Sequence, residues 1–239
     1  DVNNKVLSQK RGLIGDIITL IEIVLHSLKN GKIVQEGKVL YSFENYYKGY
    51  KSITISEDNN ILTVKDTIQT YQALDNIIQK IKYYDINEII LSNCFNDQNI
   101  NYILRIFTAI YMNRPKIQRL CLPNNNITGD NLSNLVLPYL NSLKNLIHLD
   151  LTNNHIQDED SKFIGEFLKS NSSVQNLILN DNTLTSAGGY YLTNGLIKNK
   201  SLKKLYLNNN IWRLFDIITL VIFMKVKAIT LGCKVNTYE

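Results

Sequence analysis

Five copies of one nine-residue pattern run through the middle of this 239-residue chain and constrain its fold more than any other feature. Each copy carries apolar residues at positions 1, 4 and 6 and Asn or Cys at position 9. The copies are Ile86, Ile89, Leu91, Cys94; Ile117, Leu120, Leu122, Asn125; Leu146, Leu149, Leu151, Asn154; Val174, Leu177, Leu179, Asn182; and Leu202, Leu205, Leu207, Asn210. They start at residues 86, 117, 146, 174 and 202, so the spacings are 31, 29, 28 and 28. In the last four copies position 11 is again apolar: Ile127, Ile156, Leu184 and Trp212.

Positions 4 and 6 alternate with polar neighbours, the period of a strand buried on one side. Between copies the period becomes helical. One stripe is Ile100, Ile103, Leu104, Phe107 and Ile110, and a second is Leu132, Leu135, Val136 and Leu140. A third is Phe163, Ile164, Phe167 and Leu168, and a fourth is Tyr191, Leu192 and Leu196. Each unit therefore reads as strand, turn, helix. Strands stack about 4.8 Å apart while helices need about 8–10 Å, so such an array must curve with its sheet on the concave side. At position 9 the chain leaves the strand, and an Asn side chain there both donates to and accepts from backbone groups of a buried turn. That assigns Cys94, Asn125, Asn154, Asn182 and Asn210 to a structural ladder. It also accounts for part of the excess of asparagine, which occurs 32 times.

These residues resemble the leucine-rich repeat, and the 28–29 spacing resembles its ribonuclease-inhibitor-like class, over about residues 86–212. The resemblance implies an α/β solenoid, a curved horseshoe with parallel strands on the concave face and helices on the convex face. It also implies a non-catalytic module that binds a protein or peptide partner through the concave face.

Upstream, Ile68, Tyr71, Leu74, Ile77, Ile78 and Ile81 space as a helix, preceded by the short apolar runs 53–55 and 61–64 around a polar turn. We read 51–85 as a cap or degenerate first repeat and 51–212 as the array. Residues 1–50 form a helical or irregular segment, with a helix expected over 13–29 and no clear period in 32–50. The apolar run from Leu13 to Leu28 is interrupted by Asp16 and Glu22 and is too short to span a bilayer.

Residues 213–239 are atypical. Leu214 to Met224 reads as a buried helix over the last repeat. Thr230 to Asn236 resembles the opening strand and loop of the radical-SAM tRNA methylthiotransferases, and under that resemblance Cys233 is a ligand of an iron–sulfur cluster and the enzyme begins near Met224. The other cluster ligands and the Cys-x-x-x-Cys-x-x-Cys motif of that family are absent from this sequence. A competing reading makes Lys234 onward the start of a sixth repeat.

The formal net charge is +5, from 26 Lys and Arg against 21 Asp and Glu, and it is scattered rather than clustered, which argues against a nucleic-acid footprint. Three widely spaced cysteines, Cys94, Cys121 and Cys233, make neither a disulfide framework nor a zinc motif, and favour a reducing, cytoplasmic compartment. No metal, cofactor or small-molecule substrate is expected. The acidic run Asp158, Glu159, Asp160 reads as favourable charge at a helix start, rather than as a metal site with His155.

Strand residues at positions 3, 5, 7 and 8 point into the hollow. Position 3 supplies Glu88, Arg119, His148, Asn176 and Lys204, and position 5 supplies Ile90, Cys121, Asp150, Ile178 and Tyr206. Apolar anchors, both signs of charge and several amides suit a protein surface. His148 and Asp150 lie two apart on one strand face. Cys121 on the neighbouring strand is expected to be exposed, where a Cys121–His148 dyad could form, but no complete catalytic triad is legible.

Overall fold

The computed structural model describes residues 32–35, 38–42, 53–56, 60–112, 116–213, 218, 220–224 and 229–232. The chain divides into two compact units, residues 1–51 and 52–239. In the first, strands β1 (Lys32–Gln35) and β2 (Lys38–Ser42) form an antiparallel hairpin whose register shifts between Ile33 and Val34. That shift removes the period-2 signal, which is why the sequence shows no pattern there. The helix expected over 13–29 lies outside the described residues.

The second unit is α/β. Its elements in chain order are β3 (Ile53–Ile55), β4 (Ile61–Val64), α1 (Tyr71–Tyr83), β5 (Glu88–Leu91), α2 (Tyr102–Met112) and β6 (Arg119–Cys121). A π-helical turn (Asn131–Val136) then runs into α3 (Leu137–Ser142). There follow β7 (His148–Asp150), α4 (Asp158–Ser170), β8 (Asn176–Ile178), α5 (Ser186–Lys198), β9 (Lys204–Tyr206) and β10 (Thr230–Gly232). The eight strands β3 to β10 lie side by side in chain order. Only the β3–β4 pair is antiparallel, a hairpin, and every later neighbour is parallel.

The strand register matches the repeat residue for residue. Ile89, Leu120, Leu149, Leu177 and Leu205 are mutual partners across five strands. They and the position-6 leucines Leu91, Leu122, Leu151, Leu179 and Leu207 are wholly buried. Each such side chain contributes about 1.5–3 kcal/mol of transfer free energy, so the two rows form the spine of the core. Side chains alternate across a strand, so positions 3 and 5 face the other way.

The helices bury most of each stripe expected of them; Ile78, Leu135 and Tyr191 are half-buried, and three further positions differ. In α2 the buried set is Ile103, Ile106, Phe107, Ala109 and Ile110, with Leu104 only half-buried. In α4 Phe163 is 42% exposed, because it lies along a shallow groove of about 260 Å³ against Leu137, Pro138 and Phe167. Tyr71, assigned to a buried stripe, is 66% exposed at the first turn of α1. The π-helical turn precedes Pro138, which has no N–H for the carbonyl of Asn134, so the preceding turn widens. Thr70 caps α1 by accepting from the Ala73 N–H at 3.1 Å, and Thr185 caps α5 by accepting from Ala187 N–H at 3.3 Å.

Position 9 closes each turn. Asn125 Oδ1 accepts the backbone N–H of Cys94 and of Phe95, and Asn154 Oδ1 accepts those of Asn125 and Ile127. Asn182 Oδ1 serves Asn154 and Ile156 in the same way, and Asn210 Oδ1 accepts the Leu184 N–H. Each Nδ2 donates back to carbonyls, as Asn154 does to Leu122 and Thr152. Cys94 differs. Its thiol only donates, 3.4 Å from the carbonyls of Val64 and Ser92.

Position 8 carries a second rule. Asn93, Asn124, Asn153, Asp181 and Asn209 all have positive φ, between 51° and 59°. Asn and Asp tolerate that left-handed conformation better than other side chains, so the turn itself demands them. A third set caps helices at their C-terminal ends. Asn171 Oδ1 accepts from Ser173 and Val174 N–H, and Asn199 Oδ1 from Ser201 and Leu202 N–H.

Beyond the fifth copy, Trp212 is buried and its Nε1–H donates to the Leu207 carbonyl at 3.0 Å. In the segment expected to be a buried helix, residues 218 and 220–224 are helical, with Leu220 and Met224 buried and Ile218 and Ile222 exposed. Strand β10 pairs parallel to β9, with Leu231 opposite Leu205. Among the described residues no helix is long and apolar enough to cross a membrane.

Candidate functional site: the open face of the sheet

The register that aligns the core leucines also aligns the residues beside them. Glu88, Arg119, His148, Asn176 and Lys204 form one lateral row, and Ile90, Cys121, Asp150, Ile178 and Tyr206 form the next. All ten residues singled out from the sequence are thus brought onto one face.

Their exposure is uneven. Arg119 and Lys204 are exposed, while Glu88, Ile90, Asp150, Asn176, Ile178 and Tyr206 are partly buried. Cys121 and His148 are only 8% and 9% exposed. The expectation that Cys121 is exposed is therefore corrected. Residues of β5 and β7 on either side of it, Ile90 and Asp150, stand in register and shield its small side chain.

Two polar contacts order the face. Arg119 Nε donates to Glu88 Oε2 at 3.1 Å across β5 and β6. Asp150 Oδ1 accepts both the N–H of Thr152 at 2.9 Å and its hydroxyl at 2.6 Å, which fixes the carboxylate against its own turn. Next to it, Cys121, His148 and Asp150 each offer one ligand atom, and these three atoms lie within 4.8 Å of one another.

The electrostatics oppose a thiolate in the absence of a cation. Burial, then the negative charges of Asp150 and Glu88, push the Cys121 thiol up to about 12, against the opposing influence of Arg119. Burial and the Arg119 guanidinium push the His148 imidazole below its usual range, although Asp150 and Glu88 pull the other way. A thiol held protonated beside a neutral imidazole is not an activated nucleophile, which argues against the Cys121–His148 dyad that the strand spacing allows. At the helix start, Asp158 and Asp160 are occupied by backbone. Asp160 accepts from Gly129 and Gln157 N–H, and Asp158 from Thr185 and Gly188 N–H.

No family model matches the chain, and no curated protein matches it. Among solved structures it is similar to leiomodin-1 actin-binding site 2, at 17% identity and a TM-score of 0.41, over 68% of this chain and 80% of that one. It is also similar to a Bacteroides fragilis protein from a structural genomics programme, at 15% identity and a TM-score of 0.43. That match covers 65% of this chain and 42% of that one. Likeness at this level says nothing about what this chain binds.

Proposed function

We propose that the second unit is a leucine-rich repeat horseshoe of the ribonuclease-inhibitor-like class, with the β3–β4 hairpin and α1 as its N-terminal cap, and that it binds a protein or peptide partner without catalysis. The observation that carries this reading is the two-row register, which sets Lys204, Tyr206, Asn176 and Ile178 side by side on the sheet's open face. An aromatic and an aliphatic anchor flanked by a cation and an amide form the composition of a protein-binding patch. The free thiols of Cys94 and Cys121 support a reducing compartment such as the cytoplasm. The pairing of Thr230–Gly232 onto β9 supports reading that segment as the next strand of the array, rather than as the opening of an iron–sulfur methylthiotransferase.

The test is capture with immobilised chain. Replacing Ile178, Lys204 and Tyr206 together should remove the partners that a control triple replacement on α4, at Lys162, Glu166 and Lys169, leaves bound. Identical partner sets for the two variants would overturn the proposal.

A further inference from the structure

We propose that Cys121, His148 and Asp150 form a binding site for one divalent transition-metal ion of the zinc type on the open face of the sheet. The donor set is one sulfur, one nitrogen and one oxygen, all within 4.8 Å of one another. Thiolate, imidazole and carboxylate are the three side-chain ligands that zinc takes, at bond lengths of about 2.0–2.3 Å, and softer thiolate disfavours calcium or magnesium. The donors sit on adjacent strands. Cys121 and Asp150 are register partners, and His148 stands two residues before Asp150 on the same face of β7.

His148 is 9% exposed and Cys121 8%, and among the described residues neither the imidazole nor the thiol is engaged in a hydrogen bond, so both donors are available to a ligand. The imidazole nitrogens keep contact with solvent, since Asn76 Oδ1 is the buried side-chain N or O atom without a partner among the described residues, so an ion can reach them from the open face. A cation among the three donors engages the ring nitrogen and the sulfur together. Asp150 is already positioned: Thr152 holds its Oδ1 through both N–H and hydroxyl, as outer-shell donors hold ligating carboxylates.

The charges agree. Asp150 and Glu88 place negative potential at Cys121, and the competing cation Arg119 is engaged by Glu88 at 3.1 Å. Binding displaces the Cys121 thiol proton to solvent, and the resulting thiolate with the Asp150 carboxylate balances the ion's two charges. Three protein ligands leave a fourth position open, filled by water.

The experiment uses the full chain, stripped with a chelator and titrated with Co²⁺ alone, so its outcome does not depend on the protein-binding proposal. One equivalent should bind and give a thiolate-to-cobalt charge-transfer band with the visible bands of a tetrahedral ion. Cys121→Ser should abolish the charge-transfer band, and His148→Ala and Asp150→Asn should each raise the Kd about tenfold or more. Cys94→Ser and Cys233→Ser should retain the band. Circular dichroism of each variant checks the fold, and if Cys121→Ser is unfolded, the His148→Ala and Asp150→Asn titrations decide. A wild-type chain without a charge-transfer band, a band that survives Cys121→Ser, or unchanged affinity in folded His148→Ala and Asp150→Asn would overturn the site.

Discussion

Gly195 of α5 lies against Gly165 of α4 so closely that a Cβ built on Gly195 would stand 2.7 Å from the Gly165 Cα. The reverse holds too, since a Cβ on Gly165 would meet the Tyr191 carbonyl oxygen at 2.6 Å. Both obstacles are backbone, which cannot rotate away. Replacing Gly195 by Ala gains about 1 kcal/mol of helix propensity. Overpacking costs about 1–3 kcal/mol and should win here because two helices must separate. Urea unfolding of Gly195→Ala is therefore expected to show a lower midpoint at unchanged slope. A midpoint equal to or above wild type would mean the two helices are not in backbone contact.

The turn asparagines offer a sharper contrast within one dipeptide. Asn154 is wholly buried and makes four hydrogen bonds to backbone, while its neighbour Asn153 is exposed and holds φ at 51°. Asn154→Ala orphans two N–H groups and the Leu122 carbonyl, while the Thr152 carbonyl keeps the Asn124 N–H, and at about 1–3 kcal/mol for each group left unsatisfied a loss of about 3 kcal/mol or more is expected. Asn153→Gly keeps access to positive φ and should change stability by about 0.5 kcal/mol or less. Thermal or urea unfolding of the two variants checks the difference, and equal losses would remove the distinction between positions 8 and 9.

That contrast shows where sequence reading reaches and where it stops. The strand and helix of each unit were legible because apolar periodicity is local: Leu149 and Leu151, or Ile164 and Phe167, declare their face without any neighbour. The left-handed turn at position 8 was present as a column of Asn93, Asn124, Asn153 and Asn209 but was silent until Asp181 joined it through φ rather than residue type. The burial of Cys121 and His148 depends on which strands flank them, and side-chain pattern within one strand carries no such information. The glycine contact is likewise a property of two helices. Asp158 and Asp160 were legible as charge at a helix start, but their partners Thr185, Gly188 and Gly129 belong to adjacent units.

Cys94 predicts a pH dependence. Burial first, then the charge of Asp66, raise its thiol from 9.0 to about 12, against the favourable contact with the Ser92 backbone. A raised thiol pKa means the folded chain keeps its proton where the unfolded chain has lost it. Below about pH 9 both states are protonated and the group contributes no slope; above it stability falls by about 1.36 kcal/mol per pH unit until the folded thiol ionises. Cys94→Ala removes this contribution. The stability difference between wild type and Cys94→Ala should therefore shift against wild type between pH 9.0 and about 12, and a constant difference across that window would refute the burial assigned to the thiol.

Asp158 ties two units together at a single carboxylate. Its Oδ1 accepts the Thr185 N–H at 2.8 Å and the Gly188 N–H at 2.9 Å, and its Oδ2 accepts the Thr185 hydroxyl at 2.6 Å. Gly188 is required by this approach, since a Cβ there would lie 2.5 Å from Asp158 Oδ1. Because units of such an array contact mainly their neighbours, the consequence of cutting this tie should be local as well as global. Asp158→Ala leaves the first amides of α5 without their acceptor, and a loss of about 2–3 kcal/mol is expected from three charge-assisted bonds partly replaced by water. Hydrogen exchange should quicken first at the Thr185 and Gly188 amides, with those of α1 and α2 less affected. Gly188→Ala, which displaces the same carboxylate without removing it, should reproduce that pattern; uniform loss of protection across both ends of the sheet would show instead that the unit unfolds as a whole.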